Sequence, residues 1–323
     1  MTWWTTSSTC WTCPELAEKN GVGTLSVSSV QTQAHWRDYY ELTKPKVVTL
    51  IVFTVVVGMF LAVPAWPELS AVVFGTLGIG LAASSAAVIN HVVDARIDVK
   101  MVRTLARPLP QGRLTETNAL IFASFLCVIS MVMLWFLVNP LTAVLTFASL
   151  IGYAIIYTVY LKRATPQNIV IGGAAGAAPP VLGWTAVTGE IHSDALLLFL
   201  IIFAWTPPHF WALAIARKED YERAGVPMLP VTHGNAFTRQ FILLYTILLV
   251  LITLLPYLSG MSGLIYLLTA ISLGGAFLYH AYRLKYSASP ERPMRVFKFS
   301  IQYLMVLFAA LLIDHYFIVR IGI

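Results

Sequence analysis

Long apolar stretches recur along the chain and are separated by short polar segments. A helix that crosses a bilayer needs about 20 mostly apolar residues, and the chain contains about nine stretches of that kind. They lie near residues 47–64, 70–92, 118–138, 141–161, 168–187, 194–216, 240–258, 262–282 and 299–319. No soluble domain is left between them. The pattern therefore predicts an all-α polytopic membrane protein whose transmembrane domain occupies residues 41–323.

Two of these spans contain residues that are unusual inside helices. The fifth holds the segment IGGAAGAAPPVLGW, and in a membrane such small residues and prolines favour close helix packing and a kink. Pro207 and Pro208 are expected to interrupt the sixth span in the same way.

The composition supports a membrane protein. Hydrophobic residues make up 58% of the 323 residues and charged residues 11%, against about 25% charged in a typical soluble domain. Three cysteines and the lack of a short repeat exclude a disulfide scaffold, a collagen and a coiled coil. The net charge of +6 does not indicate a nucleic-acid partner, because basic residues in a membrane chain usually mark its cytoplasmic loops.

The distribution of basic residues predicts the orientation. With nine spans, 20 of the 21 Lys and Arg residues fall in the N-terminal segment and in the loops that follow spans two, four, six and eight. The positive-inside rule places these segments in the cytoplasm. We therefore expect a cytoplasmic N-terminus, an external C-terminus and, in a bacterium, a location in the inner membrane.

The N-terminal segment carries no clear signal. It lacks the basic start and apolar run of a signal peptide and the Arg-rich pattern of a mitochondrial presequence, so residues 1–40 are expected to form a poorly ordered cytoplasmic tail. Cys10 and Cys13 have redox or zinc spacing, but a single pair specifies little, and we interpret them as free thiols. Cys127 lies in an apolar span and is interpreted as a packing residue.

A polar stripe marks the predicted cytoplasmic end of the second span. Asn90, Asp94 and Asp98 recur at intervals of four residues, which places them on one helix face about 6 Å apart per step. Two carboxylates at this spacing repel each other, so a nearby cation must offset the repulsion. Asparagine and aspartate oxygens suit Mg²⁺, and the stripe therefore predicts a metal site.

A run of basic residues surrounds and follows the stripe. One alternative to a metal is a solvated loop in which Arg96, Lys100 and Arg103 pair with the acids. The run continues with Arg107 and Arg113. Carboxylates that hold a metal, beside cations that do not, form a site for a polyanion such as a diphosphate.

A second cluster of acids and bases follows the sixth span, in the segment RKEDYERAGVPMLP at residues 217–230. Lys218 and Asp220 again place a cation beside an acid at a helix end on the predicted cytoplasmic side. Two such clusters, after spans two and six, favour two halves of a single site for one metal–diphosphate.

These segments resemble a known family. NHVVDARID with RPLPQGR, YTVYLKRATPQNIVIGGAAGAAPPVLGW, WTPPHFWALAI and RKEDYERAGVPMLP are similar to the protoheme IX farnesyltransferases, a branch of the intramembrane aromatic prenyltransferase (UbiA) superfamily. The resemblance runs from about Leu42 to the end of the ninth span. The whole superfamily shares the Asn/Asp triplet, whereas the last three motifs are specific to the haem branch. Ala95 replaces an arginine that many members carry, at a position that is not a metal ligand.

The resemblance implies nine helices around a central cavity and Mg²⁺-dependent ionisation of farnesyl diphosphate. It implies that Asn90, Asp94 and Asp98 hold one metal and that Asp220 holds a second or orders a bridging water. Candidates for binding the diphosphate are Lys44, Arg107, Arg113, Lys162 and Lys218. A vinyl group of haem B would attack the farnesyl cation, and water would complete haem O. A haem A synthase or an oxidase-assembly factor is a candidate protein partner.

Haem as the acceptor makes two histidines candidates for binding it. His209 follows Pro207-Pro208, where a broken helix would present its imidazole inward as an iron ligand. His91 follows Asn90 and is expected to point roughly 100° away from the metal stripe. A histidine in an apolar span is more often hydrogen-bonded structure than a ligand, and both interpretations stay open.

Tyr157 shares helical spacing with Tyr153 and Tyr160, so the three are expected on one face. This face either orients the diphosphate or the porphyrin, or it is a packed aromatic stripe.

The sequence leaves two rival functions. Another superfamily enzyme would use a quinone precursor or chlorophyllide as acceptor, but the haem-branch motifs argue against it. A transporter or oxidase-assembly factor would place acids near the bilayer midplane, whereas these acids lie at the predicted cytoplasmic edge.

Overall fold

A computed structural model describes residues 35–102, 104–286 and 289–317. Within these ranges the chain is almost entirely helical and contains no β-strand. The helices, in chain order, are α1 (Trp36–Leu42), α2 (Pro45–Leu61), α3 (Leu69–Asp98), α4 (Glu116–Leu137), α5 (Pro140–Ile151), the π-helix π1 (Gly152–Leu161), α6 (Lys162–Ala164), α7 (Asn168–Ala177), α8 (Pro179–Thr188), α9 (Ser193–Ala216), α10 (Lys218–Ala224), α11 (Leu229–Thr232), α12 (Gly234–Ile252), α13 (Leu255–Leu258), α14 (Leu264–Tyr286) and α15 (Arg292–Tyr316).

The predicted spans correspond to these helices. Eight helical segments of the described chain are long and apolar enough to cross a membrane, and α1 with α2 makes a ninth if the bent pair is one span. The pair bends by 53° at Lys44, which adopts a left-handed conformation with φ 52°. Pro45 explains the break, because a residue that precedes proline is disfavoured in the α-helical region. The prediction of an all-α protein with about nine spans is confirmed.

Helix α1 begins inside the segment predicted to be a tail. It starts at Trp36, and its Asp38 side chain accepts a hydrogen bond from the His35 backbone N–H at 3.0 Å. Asp38 is buried, so this stretch belongs with the helical domain rather than with the tail. Cys10 and Cys13 lie outside the described residues.

The two proline-containing spans behave differently. The fifth divides into α7 and α8 at Ala178, directly before Pro179 and Pro180, as predicted. The expected interruption of the sixth span is wrong, because α9 continues through Pro207 and Pro208. Helices in a protein interior tolerate proline when neighbouring groups compensate for the lost backbone hydrogen bonds.

The core lies around α9. In α9 and in the α7–α8 segment, 61% of the most apolar stretch of 18 residues is buried inside the protein, against 22% of the corresponding stretch of α4. Trp211 of α9 belongs to one buried hydrophobic cluster with the fully buried Tyr266 and Phe277 of α14 and Phe308 of α15. Large apolar side chains of α4 such as Phe136 are exposed instead. This distribution fits a bundle whose peripheral helices face lipid.

A buried acid near the end of α15 has a structural partner. Asp314 is fully buried, and its carboxylate accepts hydrogen bonds from the backbone N–H groups of Gly263 and Tyr266. It thereby caps the start of α14, whose first N–H groups have no partner within their own helix. This role leaves no reason to assign Asp314 to an ion pathway.

Helices α2 and α8 approach each other through two glycines. A Cβ atom on Gly58 would overlap the carbonyl oxygen of Pro180, and one on Gly183 would overlap that of Val55. Backbone atoms cannot move away as the end of a flexible side chain can. The small residues of the fifth span therefore serve the close packing that the sequence predicted.

Replacing either glycine by alanine should destabilise the protein. We expect Gly58→Ala and Gly183→Ala each to cost about 1–3 kcal/mol, the usual penalty of overpacking, and to lower the thermal unfolding temperature in detergent. Gly176→Ala is the matched control, because a Cβ at this helical position meets no atom within 4 Å. Equal unfolding temperatures for all three variants would contradict the packing argument.

Candidate active site

The polar stripe of the second span lies on the last turns of α3. The helix extends to Asp98, so Asn90, Asp94 and Asp98 share one helical segment as predicted. All three are buried, with 3–4% of each residue exposed. Burial of two carboxylates is costly unless each is paired.

The compensating charges come from three separate parts of the chain. Lys44, in the link between α1 and α2, donates a hydrogen bond to Oδ1 of Asn90. Lys162 Nζ lies 2.6 Å from Oδ2 of Asp94, and Arg107 Nη1 lies 2.6 Å from Oδ2 of Asp98. Each member of the stripe thus contacts one of the cations that were predicted to bind the diphosphate.

Among the described residues, Arg96 and Lys100 do not form the local ion pairs considered as an alternative. Arg96 and Lys100 are exposed, and Arg103 lies outside the described residues. A lysine next along the helix surface would have been the simplest partner. The structure instead brings the link before α2, the loop after α3 and the start of α6 to the stripe.

Asn90 is oriented by further hydrogen bonds. Its Nδ2 donates to Oδ2 of Asp94 at 3.1 Å and to Oγ1 of Thr158 at 3.2 Å. The Thr158 hydroxyl itself donates to the Tyr153 carbonyl oxygen at 2.8 Å. With the amide nitrogen fixed in this way, Oδ1 of Asn90 is turned toward Lys44.

Thr158 occupies this position because its segment is a π-helix. Residues Gly152–Leu161 form ten residues of π-helix inside a membrane span. Such helices are rare and occur frequently at functional sites. The bond from Thr158 to Tyr153 spans five residues, the step of a π-helix rather than an α-helix. Sequence periodicity gave no indication of this, and Thr158 is a site residue that sequence reasoning missed.

The π-helix also corrects the predicted tyrosine face. Tyr153 and Tyr157 stack with ring centroids 5.6 Å apart, but Tyr160 is 70% exposed and does not share their face. A π-helix has more residues per turn than an α-helix, so a step of seven residues no longer returns to the same side. A Cβ on Gly172 would overlap the Tyr157 ring, which shows how closely α7 lies beneath it.

The second cluster forms its own ion pairs. Asp220 is buried, and its Oδ1 lies 2.6 Å from Nη2 of Arg223. Lys218 is paired with Glu222 at 3.2 Å. Tyr157 interacts electrostatically with Asp94 of the stripe and with Tyr221 of α10.

Arg113 lies apart from the cations at the stripe. Its Nη1 is 2.5 Å from Oδ1 of Asp38, and its Nη2 is 3.8 Å from Glu41 and 2.8 Å from the Ala106 carbonyl oxygen. The side chain therefore ties the loop after α3 to α1. The sequence could not separate Arg113 from Arg107, because both belong to the same basic run.

The two candidate histidines differ in their surroundings. His209 is stacked between Trp205 and Phe297, with ring centroids 4.2 and 4.5 Å apart, and its Nδ1 lies 2.7 Å from Oγ of Ser300. His91 is 3% exposed, and neither of its ring nitrogens has a hydrogen-bond partner among the described residues.

The stripe suits a hard metal ion such as Mg²⁺ in its chemistry. Oδ1 of Asp94 is buried without a hydrogen-bond partner among the described residues, and a buried carboxylate oxygen is expected to have one. Within the described ranges, no group of three or more His, Cys, Asp or Glu side chains could hold a metal by itself. Two carboxylates and one carboxamide fit Mg²⁺, which keeps several waters and binds substrate phosphates as further ligands.

A bundle of apolar helices with paired acids and cations at one end of α3 is the arrangement expected of a membrane enzyme that acts on a polyanion. The sequence model of the UbiA prenyltransferase family matches residues 51–310. The chain belongs to the UbiA prenyltransferase family.

Similar proteins indicate the branch. Protoheme IX farnesyltransferase 2 of Pseudoalteromonas atlantica is 61% identical over 282 residues, which cover 87% of this chain and 92% of that protein. The protoheme IX farnesyltransferase of Nitrosococcus oceani is also 61% identical over 282 residues, covering 87% of this chain and 94% of its own length.

Solved structures share the fold. Digeranylgeranylglyceryl phosphate synthase matches with a TM-score of 0.73 at 20% identity, covering 88% of this chain and 99% of that one. A UbiA homologue from Archaeoglobus fulgidus bound to DMAPP and Mg²⁺ matches with a TM-score of 0.60 at 15% identity, covering 87% of this chain and 100% of that one.

Thr158 should act as a positioning residue for Asn90. We expect Thr158→Val, which removes the hydroxyl at nearly constant volume, to lower prenyl transfer by about 10-fold or more, as loss of an outer hydrogen bond at a metal site does. Half-maximal activity should also require more Mg²⁺. Thr158→Ser retains the hydroxyl and should retain activity. Equal Mg²⁺ dependence in both variants would contradict the role.

Arg107 and Arg113 should give different phenotypes. Arg107→Gln is expected to raise the KM for the prenyl diphosphate, because Arg107 lies at the stripe. Arg113→Gln should leave this KM unchanged and lower the thermal unfolding temperature, since it breaks the tie to α1. Kinetics and thermal unfolding of both variants provide the check, and a raised KM in Arg113→Gln alone would reverse the assignment.

Proposed function

We propose that the protein transfers the farnesyl group of farnesyl diphosphate to a vinyl group of haem B, with addition of water, to give haem O and diphosphate. The observation that carries this proposal is the buried stripe of Asn90, Asp94 and Asp98 with one cation on each member. The haem branch is supported by relatives that are 61% identical and are named protoheme IX farnesyltransferases.

Asn90, Asp94 and Asp98 would hold Mg²⁺, and Asp220 would contribute to a second ion or an ordered water. When bound, the metal supplies positive charge that stabilises the departing diphosphate. The Archaeoglobus fulgidus homologue bound to DMAPP and Mg²⁺ supports this type of chemistry for the family.

Lys44, Lys162 and Arg107 have two roles in this proposal. Without substrate they lie at hydrogen-bond distance from the stripe's oxygens, where Lys162 and Arg107 balance the two carboxylates and Lys44 contacts the Asn90 amide. On binding of the diphosphate they shift to its oxygens, because a phosphate is a stronger charge partner than a carboxylate already shared with a metal. Cations that are held in place before the reaction stabilise the leaving group as its charge develops.

The walls beside the stripe would protect the farnesyl cation. The stacked rings of Tyr153 and Tyr157 would lie beside the diphosphate. The buried apolar residues of α7, α8 and α9 would exclude water from the farnesyl chain. Tyr157, which interacts electrostatically with Asp94 and with Tyr221 of α10, would help the Asp220 half of the site to act on the same diphosphate.

The orientation follows from charge. The loops that carry both clusters are rich in Lys and Arg, which supports a site that opens toward the cytoplasm and a location in the bacterial inner membrane. Farnesyl diphosphate, whose charged group cannot cross a bilayer unaided, would then enter from the cytoplasmic side.

The function is tested in membranes that contain the protein, supplied with haem B and farnesyl diphosphate, with haem O measured by chromatography and mass spectrometry. We expect haem O with Mg²⁺ and none after chelation. Prenylation of a quinone precursor or chlorophyllide without formation of haem O would overturn the assignment of the acceptor.

Removal of either carboxylate of the stripe should abolish turnover. Asp94→Asn and Asp98→Asn are each expected to lower haem O formation by about 100-fold or more, the scale of losing a preorganised charge at a reacting centre. Asp194→Asn is the matched control, because Asp194 lies in the first turn of α9, away from the stripe.

Insertion and thermal unfolding of these variants separate catalysis from folding. Asp94→Asn leaves Lys162 without its buried partner, which is destabilising, so activity is compared per folded molecule. Full activity of both stripe variants per folded molecule would show that the metal assignment is wrong.

A further inference from the structure

Six of the seven histidines of the chain make a hydrogen bond or a ring contact that accounts for them. His35 and His192 cap helices, His209 bonds to Ser300, His233 bonds to Thr232, His280 packs on Phe299 and His315 bonds to the Val63 carbonyl oxygen. His91 is the exception. Among the described residues neither Nδ1 nor Nε2 of His91 has a hydrogen-bond partner, although the residue is 97% buried.

An unpartnered buried imidazole requires an explanation. Burial of a polar group without a hydrogen bond costs free energy, and native structures rarely leave both nitrogens of a histidine unused. His91 interacts electrostatically with three charged groups: Lys44, Arg107 and Lys162. These are the cations at the stripe, so His91 lies at the same site.

The helical geometry places His91 deeper than the carboxylates on almost the same face as Asp98. Neighbouring residues of an α-helix are about 100° apart around its axis, and this angle separates His91 from Asn90. Each step of four residues turns the stripe by about 40° in the same direction. After the two steps from Asn90 to Asp98, His91 and Asp98 differ by only about 20° around the axis. Seven residues of rise put His91 about 10 Å further from the predicted cytoplasmic end than Asp98. The expectation that His91 points away from the stripe therefore holds for Asn90 alone.

This is the level at which the acceptor has to lie. In the proposed reaction the farnesyl carbon that forms the new bond is also the carbon attached to the diphosphate, so the haem vinyl group must come next to the diphosphate site. The apolar porphyrin is then expected on the inner side of the stripe. A neutral histidine is the commonest protein ligand of haem iron.

We propose that His91 is the axial ligand that binds the iron of the haem acceptor and so fixes the vinyl group beside the diphosphate site. The assignment rests on the proposed function. His209 is the rival candidate. A hydrogen bond at Nδ1 does not prevent ligation through Nε2, but the stacking of the His209 ring between Trp205 and Phe297 and its contact with Ser300 account for its burial without a ligand, as nothing does for His91 among the described residues.

The test compares binding of haem B and of metal-free protoporphyrin IX to the purified full-length protein by absorbance and tryptophan quenching. The wild-type protein should bind haem at least about tenfold more tightly than the porphyrin, because only haem offers iron to a ligand. His91→Leu should lose this preference together with the absorption spectrum of histidine-ligated haem. His91→Met has a similar volume but a sulfur ligand, and it should keep much of the preference with a shifted spectrum.

Two controls keep the result specific. His209→Leu should retain both the iron preference and the spectrum, and Mg²⁺-dependent binding of farnesyl diphosphate by the His91 variants shows that their site is folded. The proposal is overturned if His91→Leu keeps the iron preference, or if His209→Leu loses it while His91→Leu does not.

Failure of the ligand assignment can be distinguished from failure of the proposed function. Haem O formation by the wild-type protein together with an unchanged iron preference in His91→Leu would overturn only the ligand. If the wild-type protein forms no haem O, the proposed function fails whatever the spectra show.

Discussion

The structure depends on the charge balance of two carboxylates buried near the end of a membrane helix. Asp94 and Asp98 are each less than 5% exposed, and neither could be retained there without an opposite charge. The chain supplies Lys162 and Arg107 from two other segments, each at 2.6 Å. Removing one partner of such a buried pair typically costs about 3–5 kcal/mol, so the pairs constrain the position of both segments.

The same balance prepares the site for a substrate. The stripe's oxygens attract a divalent cation, and the side chains around them attract an anion. Two carboxylates face three cations here, so the empty site carries a surplus of positive charge that suits a metal–diphosphate, whose net charge is negative. When the metal–diphosphate binds, the cations change their oxygen partners but stay at the same site. Preorganisation of this kind lets a membrane enzyme stabilise a leaving group where water is scarce.

Much of this could be predicted from the sequence, because the bilayer imposes a length and a composition on every span. The spans, the Asn90–Asp94–Asp98 stripe and the close packing of the fifth span all follow from local patterns. What could not be predicted depends on contacts that are distant in sequence. The partner of Asp94 is 68 residues away, and Thr158 reaches Asn90 only because its segment is a π-helix. Likewise, the different roles of Arg107 and Arg113 depend on the position of α1, whose Asp38 pairs with Arg113.

The central claim is that Lys44, Lys162 and Arg107 move from the oxygens of the stripe to those of the diphosphate when the substrate binds. The coupling between Mg²⁺ binding and diphosphate binding tests this claim most directly. Calorimetric titration of the full-length protein with inorganic diphosphate, with and without Mg²⁺, measures the coupling, which must be reciprocal for the two ligands. We predict that Mg²⁺ strengthens diphosphate binding at least about tenfold in the wild-type protein and that this coupling is lost in Lys162→Met. Equal diphosphate affinity with and without Mg²⁺ in the wild-type protein would contradict the account.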